Sequence, residues 1–341
     1  MIKVMVIDDS AVVRNAFKKM LSDIKDIKLI STAVNPIDAF SEFKKTGLPD
    51  VFILDIEMPK MDGLTFLKQI NEQRPIPTIM CSTLLTSGSK AAIDALRMGA
   101  IGIMQKPTVQ LGKYFDEYKD EFLDLIYAAS KSKINFNMSI SKTDIRKSIL
   151  NKNTSKNIVA IGASTGGVQA IENIVKHLRP NHTPIIITQH IPVGFSKTFA
   201  QRLDSIVATS TIKEAEDNDK VINGRVLIAP GNLHMEIKKV GFDFVVRLKD
   251  FPKVNSHKPS VNVLFSSMAK EVGSRGVGFI LTGMGDDGAS KLKAMKDKGA
   301  KTYAQSESSC MVYGMPKEAV RIGAVDASIS LHQMVNIINE L

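Results

Sequence analysis

The sequence predicts two successive α/β domains, each built on a doubly wound, mostly parallel sheet. Two observations predict the class and a third divides the chain. Short Val- and Ile-rich runs alternate with segments of helical periodicity from residue 1 to about 128, and again from 158 to 341. Many of these runs close on a small or polar residue, at the strand end where open parallel sheets carry their sites. Between the two blocks, residues 129–157 are rich in Lys, Ser and Asn and weakly periodic, and read as a basic flexible linker.

In the first block, IKVMVID is a buried-strand run. Ser10 to Ser22 follows as a helix with Val13, Phe17, Met20 and Leu21 at helical spacing. IKLISTAV is the second strand, followed by a helix through Phe40 and Phe43. PDVFILDIEMP is the strongest strand, and PTIMCST and AIGIMQKP each come after a helical segment. A last helix is expected from about Tyr114 to Ala129. In the second block the strands are NIVAIGAS, TPIIITQH, GRVLIAPG, VGFILTGMG and AKTYAQ, with helices over Val168 to Leu178 and Ala289 to Lys298. HMEIKKVGFDFVVRLK alternates around Val240-Gly241 and reads as a hairpin insertion.

A chain of 341 residues supports two cores, and 44% hydrophobic with 23% charged residues is ordinary for a soluble protein. The absence of Trp argues against a base-stacking surface. Cys81 and Cys310 have no C-x-x-C spacing, which fits a reducing cytosol better than a disulfide framework or a zinc site. MIKVMVIDDS turns acidic too soon for a signal peptide, and no run approaches the ~20 apolar residues of a membrane span. The expectation is a cytoplasmic protein without membrane insertion. The net charge of +10 is not spread evenly: residues 1–128 carry 16 Lys/Arg against 17 Asp/Glu, 129–157 carry 7 against 1, and 158–341 carry 22 against 17. The excess is densest in the linker, which argues for a solvated basic segment before a nucleic-acid partner.

At the strand ends of the first block stand Asp8-Asp9, Asp55, Ser82-Thr83 and Lys106-Pro107. Singly, such aspartates are helix caps or turn formers. Together, three close carboxylates need a cation, Mg²⁺ being the natural one, and one of them can act as nucleophile toward a phosphoryl donor. VIDDS, ILDIEMPKMDGL and MQKP, in this order and spacing, resemble a response-regulator receiver domain over nearly all of 1–128. The resemblance implies a flavodoxin-like fold and phosphorylation of Asp55 by a histidine kinase. Asp9, Asp55 and the backbone carbonyl of Glu57 would bind Mg²⁺, with Asp8 positioning the ion. Ser82 would be the switch hydroxyl and Lys106 the phosphate-pairing lysine. Ile103 stands where many receivers carry a switch aromatic.

In the second block, GASTGG poses a choice between a phosphate cradle and a nucleophile turn. It lacks the G-x-G-x-x-G spacing and the G-K-[ST] ending that a cradle needs. Ser164, His190 and the pair Asp286-Asp287 each follow a predicted parallel strand, so hydroxyl, base and acid can converge for acyl transfer. Bland alternatives stand beside this. Ser164 can cap the next helix, either aspartate can support a turn, and His234 and His257 compete for the base role. The order Ser–His–Asp also differs from that of α/β-hydrolases.

IGASTGG, ITQHIPVGF, EAEDND, IAPGNLHM, HKPSVNVLF, ILTGMGDDG and GMPKEA resemble the catalytic domain of the chemotaxis protein-glutamate methylesterases through essentially all of 158–341. The resemblance implies a Rossmann-like three-layer domain with Ser164 as nucleophile, His190 as base and Asp287 as acid. The Met284 backbone N–H would serve the oxyanion and Thr165 would help positioning. It implies hydrolysis of glutamate methyl esters on chemoreceptors, deamidation of receptor glutamines, no cofactor for that chemistry, and a monomer. The unphosphorylated receiver would cover the cleft. Rival readings are a DNA-binding or nucleotide-binding output domain, but residues 158–341 show no helix-turn-helix pattern.

Overall fold

Strand runs that are apolar on both sides must be covered on both faces, and helices returning over a parallel sheet do this. The computed structural model describes residues 1–82, 90–106, 111–132 and 157–341, with only the backbone at 105 and 111–117. It divides into two compact units, Met1–Ile134 and Asn135–Leu341.

The first unit runs β1 (Ile2–Ile7), α1 (Ala11–Ser22), β2 (Ile27–Ala33), α2 (Pro36–Thr46), β3 (Val51–Asp55), α3 (Gly63–Gln73), β4 (Thr78–Ser82), α4 (Lys90–Arg97), β5 (Gly102–Gln105) and α5 (Leu111–Ser130). The strands lie in the order β2-β1-β3-β4-β5, all parallel. Every residue of β3 is buried, so both of its faces are covered. Side chains cap the helix starts: Ser10 accepts from the Val13 amide, Asn35 from Ile37 and Asp38, and Asp62 from Thr65. The order reverses at β1, which opens a crevice beyond the ends of β1 and β3. Helix α5 extends through Ser130, into the span read as linker; residues 133–156 of that span lie outside the described residues.

The second unit runs β6 (Ile158–Ala163), α6 (Gly167–Val175), β7 (Ile185–Gln189), α7 (Phe195–Ile206), β8 (Thr211–Glu214), β9 (Arg225–Ile228), β10 (His234–Val240), β11 (Asp243–Lys249), α8 (Val261–Glu271), β12 (Gly276–Ile280), α9 (Ala289–Asp297), β13 (Lys301–Gln305), α10 (Met315–Arg321), β14 (Ala327–Ile329) and α11 (Leu331–Glu340). Seven strands form one sheet, β14-β13-β12-β6-β7-β9-β8, with every pairing parallel. The edge strands β8 and β14 are not among the predicted ones. Strands β10 and β11 form the separate hairpin, pairing Val240 with Asp243 around a Gly241-Phe242 turn.

Along β6, Ile158 and Ala160 join a core with Phe244 and Val246 of the hairpin, Leu264 of α8, Leu292 of α9 and Met315 of α10. Val159 and Ile161 point to the opposite face by strand alternation and are equally buried. The chain leaves β6 for β7 on one side and later places β12 on the other. The switch point of this sheet therefore lies between β6 and β12.

Candidate active site

The crevice of the first unit gathers the predicted carboxylates. Ligand oxygens of Asp8, Asp9 and Asp55 lie within 4.8 Å of one another. Lys106 enters among them, its Nζ 2.5 Å from Asp55 Oδ2, 3.1 Å from Asp8 Oδ2 and 3.9 Å from Asp9 Oδ1. Burial pushes the Asp55 carboxyl up to about 6 against the pull of Lys106, with Asp8 adding repulsion. Asp8 is raised for the same first cause, burial. Asp55 Oδ1 accepts from the Glu57 amide at 3.2 Å, so Glu57 meets the pocket through its backbone while its side chain is exposed. Ser82 ends β4 and is buried. Thr83 and Pro107 lie outside the described residues. Ile103 is buried within β5.

Three hard carboxylates, two of them buried, with the single cation of Lys106 among them, fit a divalent cation. A cation there would offset both the desolvation and the mutual repulsion that raise Asp8 and Asp55.

In the second unit, strand register does the assembling. β6 and β7 pair Ala163 with Gln189, and β6 and β12 pair Gly162 with Ile280. The rungs continue past the strands: the His190 amide donates to Ala163 O at 2.9 Å, and the Ser164 amide to Thr282 O at 3.0 Å. Ser164 and His190 therefore leave the sheet side by side, with the β12 loop across from them.

Ser164 does not cap α6. The cap position is Gly166, in the left-handed region at φ 79°, and the Ser164 carbonyl accepts from the Gly167 amide at 2.8 Å. The hydroxyl is thus not spent on the helix. The Gln189 side-chain amide donates to both the Ser164 and the His190 carbonyls, each at 2.8 Å. Gly283 presses on the turn so closely that a Cβ there would lie 2.6 Å from Ser164 Cβ. Met284 follows it, half-buried, and its amide is engaged by no described residue. Thr165 is half-buried, and its carbonyl accepts from Thr282 Oγ1 at 2.9 Å.

The two aspartates have different partners. Asp287 is 1% exposed and its Oδ2 lies 2.8 Å from His190 Nε2. It also accepts from Ser260 Oγ at 2.7 Å and from the amides of Val261 at 2.6 Å and Asn262 at 3.1 Å. Its carboxylate therefore sits on the N-terminus of α8, where orphan amides and the helix dipole favour an anion. Burial opposes its ionisation, but His190, Ser260 and the Val261 amide outweigh this and hold it below the usual carboxylate range. Asp286 is exposed and accepts from Asn255 Nδ2 at 3.2 Å. With Asp287 ionised, His190 Nε2 carries the hydrogen. Nδ1, buried and without a hydrogen-bond partner among the described residues, then keeps its lone pair.

The rival histidines are occupied otherwise. His234 Nε2 bonds Pro252 O at 3.1 Å and its Nδ1 accepts from the Ser260 amide at 3.2 Å. His257 lies flat against His190, ring centroids 3.7 Å apart. Ser260, Gln189, Thr282 and Gly283 were not anticipated as parts of the site. A serine ahead of the apolar run VNVLF is a helix-start signal, but nothing in the sequence says which carboxylate that helix start holds.

Among known proteins, residues 159–338 match the family model described as CheB methylesterase, and residues 4–113 match the response regulator receiver domain. A protein-glutamate methylesterase/protein-glutamine glutaminase of Geobacter metallireducens is 45% identical, covering 97% of this chain and 96% of its own length. One from Leptospira interrogans is 44% identical over 98% of both chains. The crystal structure of the Thermotoga maritima CheB methylesterase catalytic domain superposes with a TM-score of 0.53 at 36% identity, covering 54% of this chain and 97% of that one. No helix among the described residues is long and apolar enough to cross a membrane.

Proposed function

The chain belongs to the CheB methylesterase family, with a response-regulator receiver ahead of the esterase domain, and from that premise we propose that Ser164, His190 and Asp287 carry its hydrolysis. It is a protein-glutamate methylesterase/protein-glutamine glutaminase, and not a response regulator with a DNA-binding or nucleotide-binding output. The observation that carries the assignment is the Asp287–His190 bond, which leaves His190 Nδ1 free beside the strand end that holds Ser164.

His190 Nδ1 takes the Ser164 proton as Oγ bonds to the ester carbonyl carbon. The oxyanion that forms is met by the Met284 N–H, with Thr165 positioning the turn; a donor of this kind contributes about 3 kcal/mol to the transition state. The imidazolium is matched by Asp287 and returns its proton to the departing methoxide, releasing methanol. Water, deprotonated by the same nitrogen, then cleaves the acyl-serine and leaves the glutamate carboxylate. With a glutamine side chain the group that leaves is ammonia. The substrates we assign are the glutamate and glutamine side chains of methyl-accepting chemoreceptors.

Asp55 is the phosphoacceptor, and a chemotaxis histidine kinase is the donor. Asp9, Asp55 and the Glu57 carbonyl, with Asp8 behind them, would hold Mg²⁺, which when bound offsets charge on the acceptor and the incoming phosphoryl group. Lys106 pairs with the phosphoryl oxygens and Ser82 supplies the switch hydroxyl. In our reading residues 1–128 are the receiver, 129–157 the linker and 158–341 the catalytic domain, working in the cytoplasm as a monomer. Phosphorylation relieves inhibition by the receiver, and a shift of a few kcal/mol suffices for a large change in the active fraction.

The test is methanol release from methylated receptor with and without a small-molecule phosphodonor. The wild type is expected to speed up at least tenfold, and Asp55→Asn to stay at the basal rate. Removal of residues 1–150 should raise the basal rate without any donor. A truncated chain no faster than the unphosphorylated whole would count against inhibition by the receiver.

A further inference from the structure

The sequence left His257 as a rival base, and its geometry suits a different task. Its ring stacks on that of His190 with an interplanar angle of 16° and centroids 3.7 Å apart. The His190 ring is otherwise tied by a single hydrogen bond at Nε2. One bond at one ring atom leaves the ring free to swing about that contact, which would carry Nδ1 out of line with Ser164. A flat, fixed neighbour at van der Waals distance closes that swing on one side.

His257 is itself fixed. Val254 and His257 exchange two backbone hydrogen bonds, each 3.0 Å, across a turn whose central residues Asn255 and Ser256 have φ of 50° and 64°. Asn255 is tied to Asp286, the neighbour of the acid. Three residues past His257 the same segment supplies Ser260, Val261 and Asn262 to Asp287. One stretch of chain, 254–262, thus sets both the acid behind His190 and the plane beside it.

We propose that His257 is a positioning residue that holds the His190 ring in the plane where Nδ1 meets the Ser164 hydroxyl, acting through its neutral aromatic face and not through proton transfer. The role rests on the Ser164–His190–Asp287 reading. It also suits the charge that develops in the reaction. When His190 becomes an imidazolium, a neutral ring face beside it is attractive, whereas a second cation would be repulsive. Burial, with His190 next to it, pushes the His257 imidazole down to about 4; Asp287 pulls the other way and Lys253 adds to the depression. At neutral pH the face presented to His190 is therefore uncharged.

The test uses the full-length phosphorylated chain and methylated receptor, comparing His257→Ala, His257→Phe and Ser164→Ala. His257→Ala should lower kcat about 10- to 100-fold at unchanged KM, the scale of a misaligned reacting group. His257→Phe keeps the flat face and loses both ring nitrogens, and should return kcat to within about threefold of wild type. Wild-type kcat in His257→Ala overturns the proposal. So does a phenylalanine variant that folds and is as slow as the alanine one, because the nitrogens would then be what matters. If Ser164→Ala keeps hydrolysing, the triad reading fails and this role falls with it; if Ser164→Ala is inactive and His257→Ala is not, the positioning role alone fails.

Discussion

Ser164→Ala is expected to lower kcat for receptor demethylation on the order of 10⁴-fold or more, the scale seen when a hydrolase loses its nucleophile. The effect is large because in the proposed mechanism Ser164 supplies the bond to the ester carbonyl, while the hydroxyl across the rung, on Thr282, is buried and bonded to the main chain of Thr165 and Val312. Fold stability should change little, since Ser164 holds the turn through its backbone: its amide donates to Thr282 and its carbonyl accepts from Gly167 and Gln189. Phosphorylation of Asp55 should be untouched. Methanol release and acyl phosphate formation, measured on the same preparation, check both halves. Substantial hydrolysis by the variant would remove Ser164 from the mechanism.

Asp287→Asn should be nearly as costly to activity, about 10⁴-fold in kcat, and in addition costly to stability. An amide in place of the carboxylate no longer matches the imidazolium, and it can favour the wrong tautomer of His190. It also turns an NH₂ group toward donors. Ser260 Oγ, the Val261 and Asn262 amides and His190 Nε2 all address this one carboxylate. Each buried donor left unserved costs about 1–3 kcal/mol. Asp286→Asn, at an exposed neighbour whose side chain bonds Asn255, should stay within about threefold of wild type in both readouts. There is a pH arm as well. Because the folded state holds Asp287 below its ordinary value, its contribution to stability is present above that value of 3.8 and is lost as pH falls through the lower, folded one. The stability gap between wild type and Asp287→Asn, followed by denaturant unfolding, should therefore shrink on acidification below about pH 4. A gap independent of pH would mean that the ionised carboxylate is not what the helix start holds.

Much of the fold was legible because long apolar runs leave few alternatives. Unbroken apolar runs such as VMVI and VFIL cannot sit half in water, so the strands holding them, in IKVMVID and PDVFILDIEMP, had to be covered on both faces. The strands that escaped, β8 and β14, have four and three residues and lie at the sheet edges, where the apolar signal is shortest. The candidate site was legible as residue types at strand ends, since parallel strands of one sheet deliver their ends to one side. Which aspartate serves His190 was not legible from spacing, and only the family resemblance pointed to Asp287. Asp286 and Asp287 have the same chemistry and differ only in burial, which depends on where α8, a remote segment, places its first turn. The roles of His257 and His234 were hidden for the same reason. A histidine's task depends on which atoms its ring nitrogens and faces meet, and those partners come from segments far along the chain.

The register of β12, β6 and β7 has a consequence for control. Ser164, His190 and Asp287 follow three adjacent strands locked together by main-chain hydrogen bonds, and Asp287 is also bonded to a helix start. Moving the backbones of these three residues apart would mean breaking hydrogen bonds in the middle of the sheet. A signal worth a few kcal/mol cannot do that reversibly. On our reading such a signal decides instead whether a substrate reaches an apparatus that stays assembled, which would place control at the door and not in the machinery.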